Sequence, residues 1–545
     1  MRKITILFIL FSFGISFYSE AQNYFWVAFK NKNNTKYSLS SPGEYLSERA
    51  IQRREKQNIA IDSLDLPVNK NYIDSVLSYG AQQVHSSKWL NGITVKTSID
   101  TFKTSVQKIS FVKEVLLSKP GNNSKSTYNK FDEPESGNKD PIDTSLYGES
   151  VYQTGLMNGQ FIHNNGFNGQ GMQIAVIDAG FYKANEFAAF DSLWANNQIL
   201  GTKDFVNSND DFYATHYHGM SVLSCMGGNV PGSLIGTARK ASYWLLRTED
   251  VNSEYPIEED NWVAAAEFAD SAGVDVINSS LGYYEFDDNT LSHTYADMDG
   301  KTTRVTRGAN IAFSRGILVV VAAGNERQKA WQHIIAPADG DNVLAVGATN
   351  KFGFDAPFTS LGPASDGDIK PNVAAVGWNT YLQLRNGNLG FASGTSFASP
   401  IMAGMATSFW QSMPNATAAD VKQAIEMSAS QYEKPDSILG FGIPDFKKAW
   451  TFLASQIAEQ NSSNTFWTVY PNPATNNFVL KRKSNSTQKN IKIEIYSIEG
   501  RLLRNLTKED KSQIIITNID NLPRGILLVR IHSENVTQTI KLNKI

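Results

Sequence analysis

Apolar runs closed by small or turn-forming residues recur through the middle of the chain, and their period decides what they become. Residues 174–177 (Ile-Ala-Val-Ile) and 317–321 (Ile-Leu-Val-Val-Val) are continuous and β-branched. Such runs predict strands buried on both faces of a parallel sheet. Between and beyond them the apolar spacing lengthens to that of helices, at 262–272, 418–430 and from Ser396 to Ala406. The alternation over 145–458 predicts an α/β domain, a parallel sheet with helices on both faces. Upstream, residues 22–118 read as a small α+β unit, with strands at 24–29, 81–85, 92–96 and 112–117 and a helix at 71–79. Residues 47–56 (Ser-Glu-Arg-Ala-Ile-Gln-Arg-Arg-Glu-Lys) predict a charged helix whose basic run solvates a face. From 466 onward, short alternating runs at 478–480, 491–496, 514–516, 526–531 and 539–542 are separated by turn residues. They predict an all-β sandwich of about 80 residues.

Composition separates these regions. Residues 119–144 are rich in Asn, Ser, Lys, Asp, Glu and Pro, the make-up of a linker open to cleavage. Residues 459–465 form a second polar linker. Residues 1–21 read as a secretory signal: Arg2 and Lys3, an apolar stretch over 4–17, then Ser19-Glu20-Ala21. No later segment is long and apolar enough to span a bilayer, so no transmembrane segment is expected after signal removal. The chain has 545 residues and a net charge of −3, which gives no argument for nucleic-acid binding. From 466 onward 13 Lys and Arg face 6 Asp and Glu, so that region is basic and the remainder acidic. Cys225 is the single cysteine, which excludes an internal disulfide.

Three stretches carry chemistry. Asp178 ends the 174–177 run and is followed by Ala179-Gly180. His218 precedes Gly219 and the apolar helical run Met220-Ser221-Val222-Leu223, whereas His216, two residues earlier, lacks that setting. Ser396 opens a helix in Gly394-Thr395-Ser396-Phe397-Ala398-Ser399-Pro400, with Pro400 expected in the first turn. A serine hydroxyl needs a base to become nucleophilic, an imidazole can be that base, and a buried carboxylate fixes the imidazole tautomer. At the start of a helix the serine also lies among unpaired backbone N–H groups, which suit a developing oxyanion. Taken singly, a turn Asp, an ordinary His and an N-cap Ser would each be the simpler reading.

The three together, in the order Asp, His, Ser, resemble the subtilisin-like serine peptidases (family S8). The resemblance implies that Asp178, His218 and Ser396 form a catalytic triad. It implies that Asn325, in Ala322-Ala323-Gly324-Asn325, donates to the oxyanion. It further implies that Ser280, Leu281 and Gly282 pair with the substrate backbone and wall the S1 pocket, with Glu326 near its rim. Glu326 could then favour basic P1 residues, or could be an ordinary exposed glutamate. The expected activity is that of an endopeptidase acting on proteins and peptides through an acyl-enzyme, with no cofactor required for catalysis. The family often binds structural calcium, so Asp210-Asp211, Asp287-Asp288 and Asp297-Met298-Asp299 are candidate ligands, against the reading of solvated loops. Asn372 stands where the family more often has Asp, which puts a cation or salt bridge there in question.

The N-terminal unit occupies the place of the family's propeptide, removed on activation of a precursor. Val469-Tyr470-Pro471-Asn472-Pro473, Leu522-Pro523-Arg524-Gly525-Ile526 and the Lys-rich end resemble the C-terminal sorting domain of the type IX secretion pathway of Bacteroidetes. The implied partners are protein substrates and that secretion machinery. The implied destination is the cell surface or the medium, by way of the periplasm and outer membrane. Two rivals remain at this point: an inactive adhesin on the same scaffold, and a metal-dependent hydrolase using His216, His218 and the Asp pair.

Overall fold

The structure, a computed structural model, describes residues 22–121, 131, 146–463, 467–482, 490–497, 501–509, 511–533 and 536–545. The signal at 1–21 and nearly all of the 119–144 linker lie outside them. The chain divides into a unit ending at Leu453 and a second from Ala454 to Ile545.

The first unit is organised by a seven-stranded, all-parallel sheet. Its order is Val373–Val376, Leu344–Thr349, Leu318–Ala322, Val276–Ser279, Gln173–Asp178, Ser242–Arg247 and Ile199–Asp204. The apolar runs at 174–177 and 317–321 are its central strands, buried throughout as their composition requires. The chain leaves Gln173–Asp178 toward one edge and later returns to build the other side from Val276–Ser279. The carboxyl ends of these two neighbours therefore flank a topological switch point, where open α/β sheets gather their functional groups. The helices His218–Gly227 and Thr395–Ser412 pack together, and the second lies along the strands from Val276–Ser279 to Val373–Val376. The helices Ile257–Ala272 and Arg304–Ser314 share an apolar cluster with Ala175, Ile177, Val319 and Val321. The edge strand Ile199–Asp204 and its neighbour Ser242–Arg247 carry no distinct pattern in sequence, since the edge strand is half polar and little buried.

Ahead of this sheet, Gln82–Ser87, Gly92–Thr97, Asn23–Phe29 and Val112–Lys119 form a four-stranded antiparallel sheet. It packs on the helix Ile257–Ala272, and Trp26 and Trp89 enter the same apolar cluster as Trp262. That helix begins five residues earlier than the apolar period suggests. Its first turn is acidic (Glu258, Glu259, Asp260), which complements the helix dipole, and all three carboxylates are buried with partners. Asp260 accepts from Thr94 Oγ1 and Ser118 Oγ of the N-terminal sheet and pairs with Arg304.

The basic helix Glu48–Lys56 corrects an expectation. Its Arg53 and Arg54 do not solvate a face; they are 5% and 1% exposed. Arg53 and Arg54 both pair with Asp270, Arg54 also with Asp65, and Lys88 reaches Asp270 at 2.9 Å. The cations look surface-bound in sequence because the acid they share, Asp270, lies more than two hundred residues away.

In the C-terminal unit, one antiparallel sheet runs Trp467–Tyr470, Asn477–Arg482, Gln513–Thr517, and another Leu502–Glu509, Asn490–Ser497, Gly525–Ser533, Val536–Lys544. Phe478, Leu480, Ile493, Ile495, Val529 and Ile531 share one core between them. The helix Phe446–Ser463 runs into the stretch expected as a polar linker, where Glu459 and Gln460 are themselves good helix formers.

Candidate active site

Asp178 closes its strand with the side chain fully buried. Oδ1 accepts from the Ala179 backbone N–H at 2.7 Å and from His218 Nδ1 at 2.6 Å. Burial raises this carboxyl above its ordinary value, and His218 opposes the rise. His218 is the first residue of its helix and 1% exposed. With Nδ1–H donated to Asp178, the neutral ring keeps its lone pair on Nε2. Gly219 makes the approach feasible: a methyl there would fall 2.6 Å from the Gly180 carbonyl oxygen and 2.8 Å from Asp178 Cβ. His216 stays outside this pair; its Nδ1 accepts from the His218 backbone N–H.

Ser396 is the second residue of the helix Thr395–Ser412 and is 6% exposed. The ring of the next residue, Phe397, has its centroid 6.1 Å from that of His218. Pro400 lies in the second turn, not the first. A proline there has no N–H for the carbonyl four residues back, which is that of Ser396. Ser280 Oγ donates to this carbonyl at 2.8 Å instead. The expected S1 wall is thus tied to the serine helix through a bond that the proline leaves open.

Asn325 follows the strand Leu318–Ala322. Its Oδ1 accepts from the Thr395 backbone N–H at 2.9 Å and from Thr395 Oγ1 at 3.0 Å, and Thr395 Oγ1 also accepts from Gly324 N–H. With the amide oxygen anchored on the serine helix, the NH₂ group is the end left to turn outward. Thr395 is a positioning residue that sequence reading passed over, although it adjoins Ser396 in the quoted motif.

Ser280, Leu281 and Gly282 continue beyond Val276–Ser279 beside the Ala322–Asn325 segment, since Ser279 pairs with Val321. Glu326 is buried. Its carboxylate accepts from Tyr284 OH at 2.8 Å and pairs with Lys329 at 3.0 Å. A basic P1 side chain would compete with this built-in lysine. Phe131 is a second residue without a sequence signal. It is buried with its ring centroid 4.8 Å from that of His218 and 4.9 Å from that of His216.

The expected calcium candidates are engaged locally. Asp210 pairs with Arg247, Asp287 accepts from Glu254 N–H, Asp288 and Asp299 cap the turns that follow them, and Asp297 reaches back to accept from Thr294 N–H. Among the described residues, Glu249, Glu254 and Glu258 bring carboxylate oxygens within 4.8 Å of one another. These are donors of the kind calcium takes, but Tyr283 OH and Thr248 Oγ1 already donate to Glu249. At Asn372 the positive charge is internal: the buried Lys370 Nζ donates to Asn372 Oδ1 at 3.3 Å and to the Gly340 carbonyl at 2.6 Å.

Comparison with known proteins identifies the family of each region. The model of the subtilase family (peptidase S8) matches residues 169–442, half of the chain. The peptidase S8 propeptide domain of Bacteroidota matches 24–133, and the secretion system C-terminal sorting domain matches 468–544. Subtilisin NAT of Bacillus subtilis subsp. natto is 29% identical over 291 residues, covering 52% of this chain and 67% of its own length. Subtilisin of Bacillus pumilus is 28% identical over 275 residues, 49% of this chain and 87% of the relative. The crystal structure of MycP1 from Mycobacterium smegmatis aligns with 58% of this chain and 90% of its own, at 21% identity and a TM-score of 0.44.

Proposed function

The chain belongs to the subtilase family, and on that premise we propose that it cleaves proteins through an acyl-enzyme on Ser396, made as a precursor and exported. It is a serine-type endopeptidase with a propeptide and a secretion sorting domain. The observation that carries the residue roles is the 2.6 Å bond from His218 Nδ1 to Asp178 Oδ1, beside the helix that bears Ser396.

In the proposed reaction His218 Nε2 takes the proton from Ser396 Oγ as the oxygen attacks the scissile carbonyl carbon. Asp178 holds the tautomer and stabilises the imidazolium. The oxyanion is met by Asn325 Nδ2 and the Ser396 backbone N–H. Collapse of the tetrahedral adduct expels the amine, which receives its proton from His218 Nε2. Water then repeats the sequence on the acyl-enzyme and frees Ser396. Apart from the substrate and this water, the groups named in the proposed cycle are side chains and a backbone amide of the chain itself. Ser280, Leu281 and Gly282 offer an edge for an extended substrate.

The N-terminal unit, packed on the helix Ile257–Ala272, would serve as the propeptide, and Phe131 against His218 supports a precursor held closed until cleavage within 119–144. The sorting domain indicates export to the surface or the medium. The proposed route crosses the inner membrane by the signal and the outer membrane by the type IX machinery.

A fluorophosphonate probe tests the reading, applied before and after limited proteolysis of the 119–144 segment. Label mapping to Ser396 and lost in Ser396→Ala and His218→Ala is expected. Absence of label in the cleaved protein would leave an inactive scaffold.

A further inference from the structure

The slot between the two segments that leave the sheet beside Ser396 is already filled. One wall is Ser280-Leu281-Gly282 and the other is Ala322-Ala323-Gly324, and both are anchored to the serine helix by the Ser280 and Thr395 bonds. Glycine at 282 and 324 would normally leave an open channel between two bare backbones. Here the end of the Ile335 side chain lies in it. A methyl added at Gly282 would fall 2.3 Å from Ile335 Cδ1 and 2.5 Å from Cγ1. One added at Gly324 would fall 3.1 Å from each of the same two atoms. Ile335 Cδ1 is therefore wedged between the two walls.

Its position is enforced. Tyr283 N–H donates to the Ala336 carbonyl at 2.8 Å and Ala336 N–H returns to Tyr283 at 3.2 Å, which fixes the 335–337 segment alongside 282–284 and leaves the Ile335 side chain to reach across to Gly282. On the other flank Ile334 N–H donates to Leu361. The β-branch restricts the side chain's rotation, so it cannot fold away as an unbranched chain could. Ile335 is 8% exposed, which puts the floor of the slot close beneath the surface.

We propose that Ile335 is a specificity-determining residue that shortens the S1 pocket, so that this peptidase cleaves after small residues (Ala, Ser, Val) and excludes aromatic and long basic P1 side chains. The inference rests on the reading of 280–282 and 322–325 as the S1 walls. A large side chain would have to displace a packed isoleucine held by backbone bonds on both sides, and overpacking of that kind is costly. One methylene of mismatch in such a pocket discriminates about 10–200-fold.

The test uses the full chain, expressed as the precursor and processed, with tetrapeptide p-nitroanilides that differ only at P1 (Ala, Val, Phe, Lys). Active enzyme is counted by fluorophosphonate labelling. The expected kcat/KM for Ala exceeds those for Phe and Lys by about tenfold or more. Ile335→Gly and Ile335→Ala should raise the Phe-to-Ala ratio by about tenfold or more, and the fold-preserving Ile335→Val should move it in the same direction. Labelled enzyme that cleaves after Phe or Lys as well as after Ala overturns the proposal. So does an unchanged ratio in Ile335→Val and in whichever larger truncation still labels. Failure of Ser396 to label in the cleaved wild type would overturn the peptidase reading itself, and this inference with it.

Discussion

His218 Nδ1 donates to Asp178 Oδ1 at 2.6 Å across forty residues of chain, with both side chains all but sealed from water. The bond fixes the neutral ring in one tautomer, with the lone pair on Nε2. Asp178→Asn would keep the shape but offer an N–H where the acceptor stood, favouring the wrong tautomer. A loss of about 10⁴ in kcat with little change in KM is expected. A loss below tenfold on a peptide p-nitroanilide would remove Asp178 from the mechanism.

Asn325 is held by its oxygen on Thr395, and in the proposed reaction its amide nitrogen is the group offered to substrate. Asn325→Ala should lower kcat by about 10²–10³, the loss that one oxyanion donor carries in subtilisin itself, with KM nearly constant. Thr395→Val frees the amide to rotate and should give a smaller loss of the same kind. If KM carried the effect instead, Asn325 would bind ground-state substrate.

Glu326 is already paired with Lys329 and Tyr284. Glu326→Gln should therefore leave the Lys-to-Phe preference at P1 unchanged within about twofold, where loss of a real charge contact would cost more. A larger fall in Lys cleavage would restore Glu326 as a recogniser of basic residues.

Asp270 joins the N-terminal unit to the helix Ile257–Ala272. Burial alone would raise its carboxyl, but Lys88, Arg53 and Arg54 outweigh burial and hold it well below the usual range. Asp270→Ala would leave Arg53 and Lys88 buried without their carboxylate, and Arg54 with Asp65 alone. The precursor should lose about 3–5 kcal/mol in urea unfolding. A loss under about 1 kcal/mol would mean that water reaches the network and screens it.

His163 gives a pH dependence with a definite sign. Its Nε2–H donates to the Thr237 carbonyl and Nδ1 accepts from Tyr147 OH, so the buried ring is neutral, and burial lowers its pKa to about 4. The unfolded ring binds a proton below about 6.5 and the folded ring does not until about 4. Its stability contribution is full above 6.5 and drains as the pH falls toward 4, by roughly 3 kcal/mol. The stability difference between wild type and His163→Gln should shrink by that amount across the window. Parallel curves would show that the folded ring protonates freely.

Sequence alone determined what is local. The apolar run ending in Asp178, the His218-Gly219 pair and the small-residue turn at Ser396 each carry their signal within a few residues, because strand burial, close approach and helix entry are short-range demands. The all-β alternation beyond 466 is legible for the same reason. Tertiary structure decided what depends on distant surfaces meeting. Arg53 and Arg54 read as solvated until Asp270 is brought against them. Pro400 reads as harmless until Ser280 is seen to take the carbonyl that it leaves unbonded. Nothing local marks Ile335, whose place emerges only when the fold sets Gly282 and Gly324 on either side of its side chain. Periodicity says which face of an element is apolar, but the partner of that face is chosen by chain crossings that no local pattern encodes.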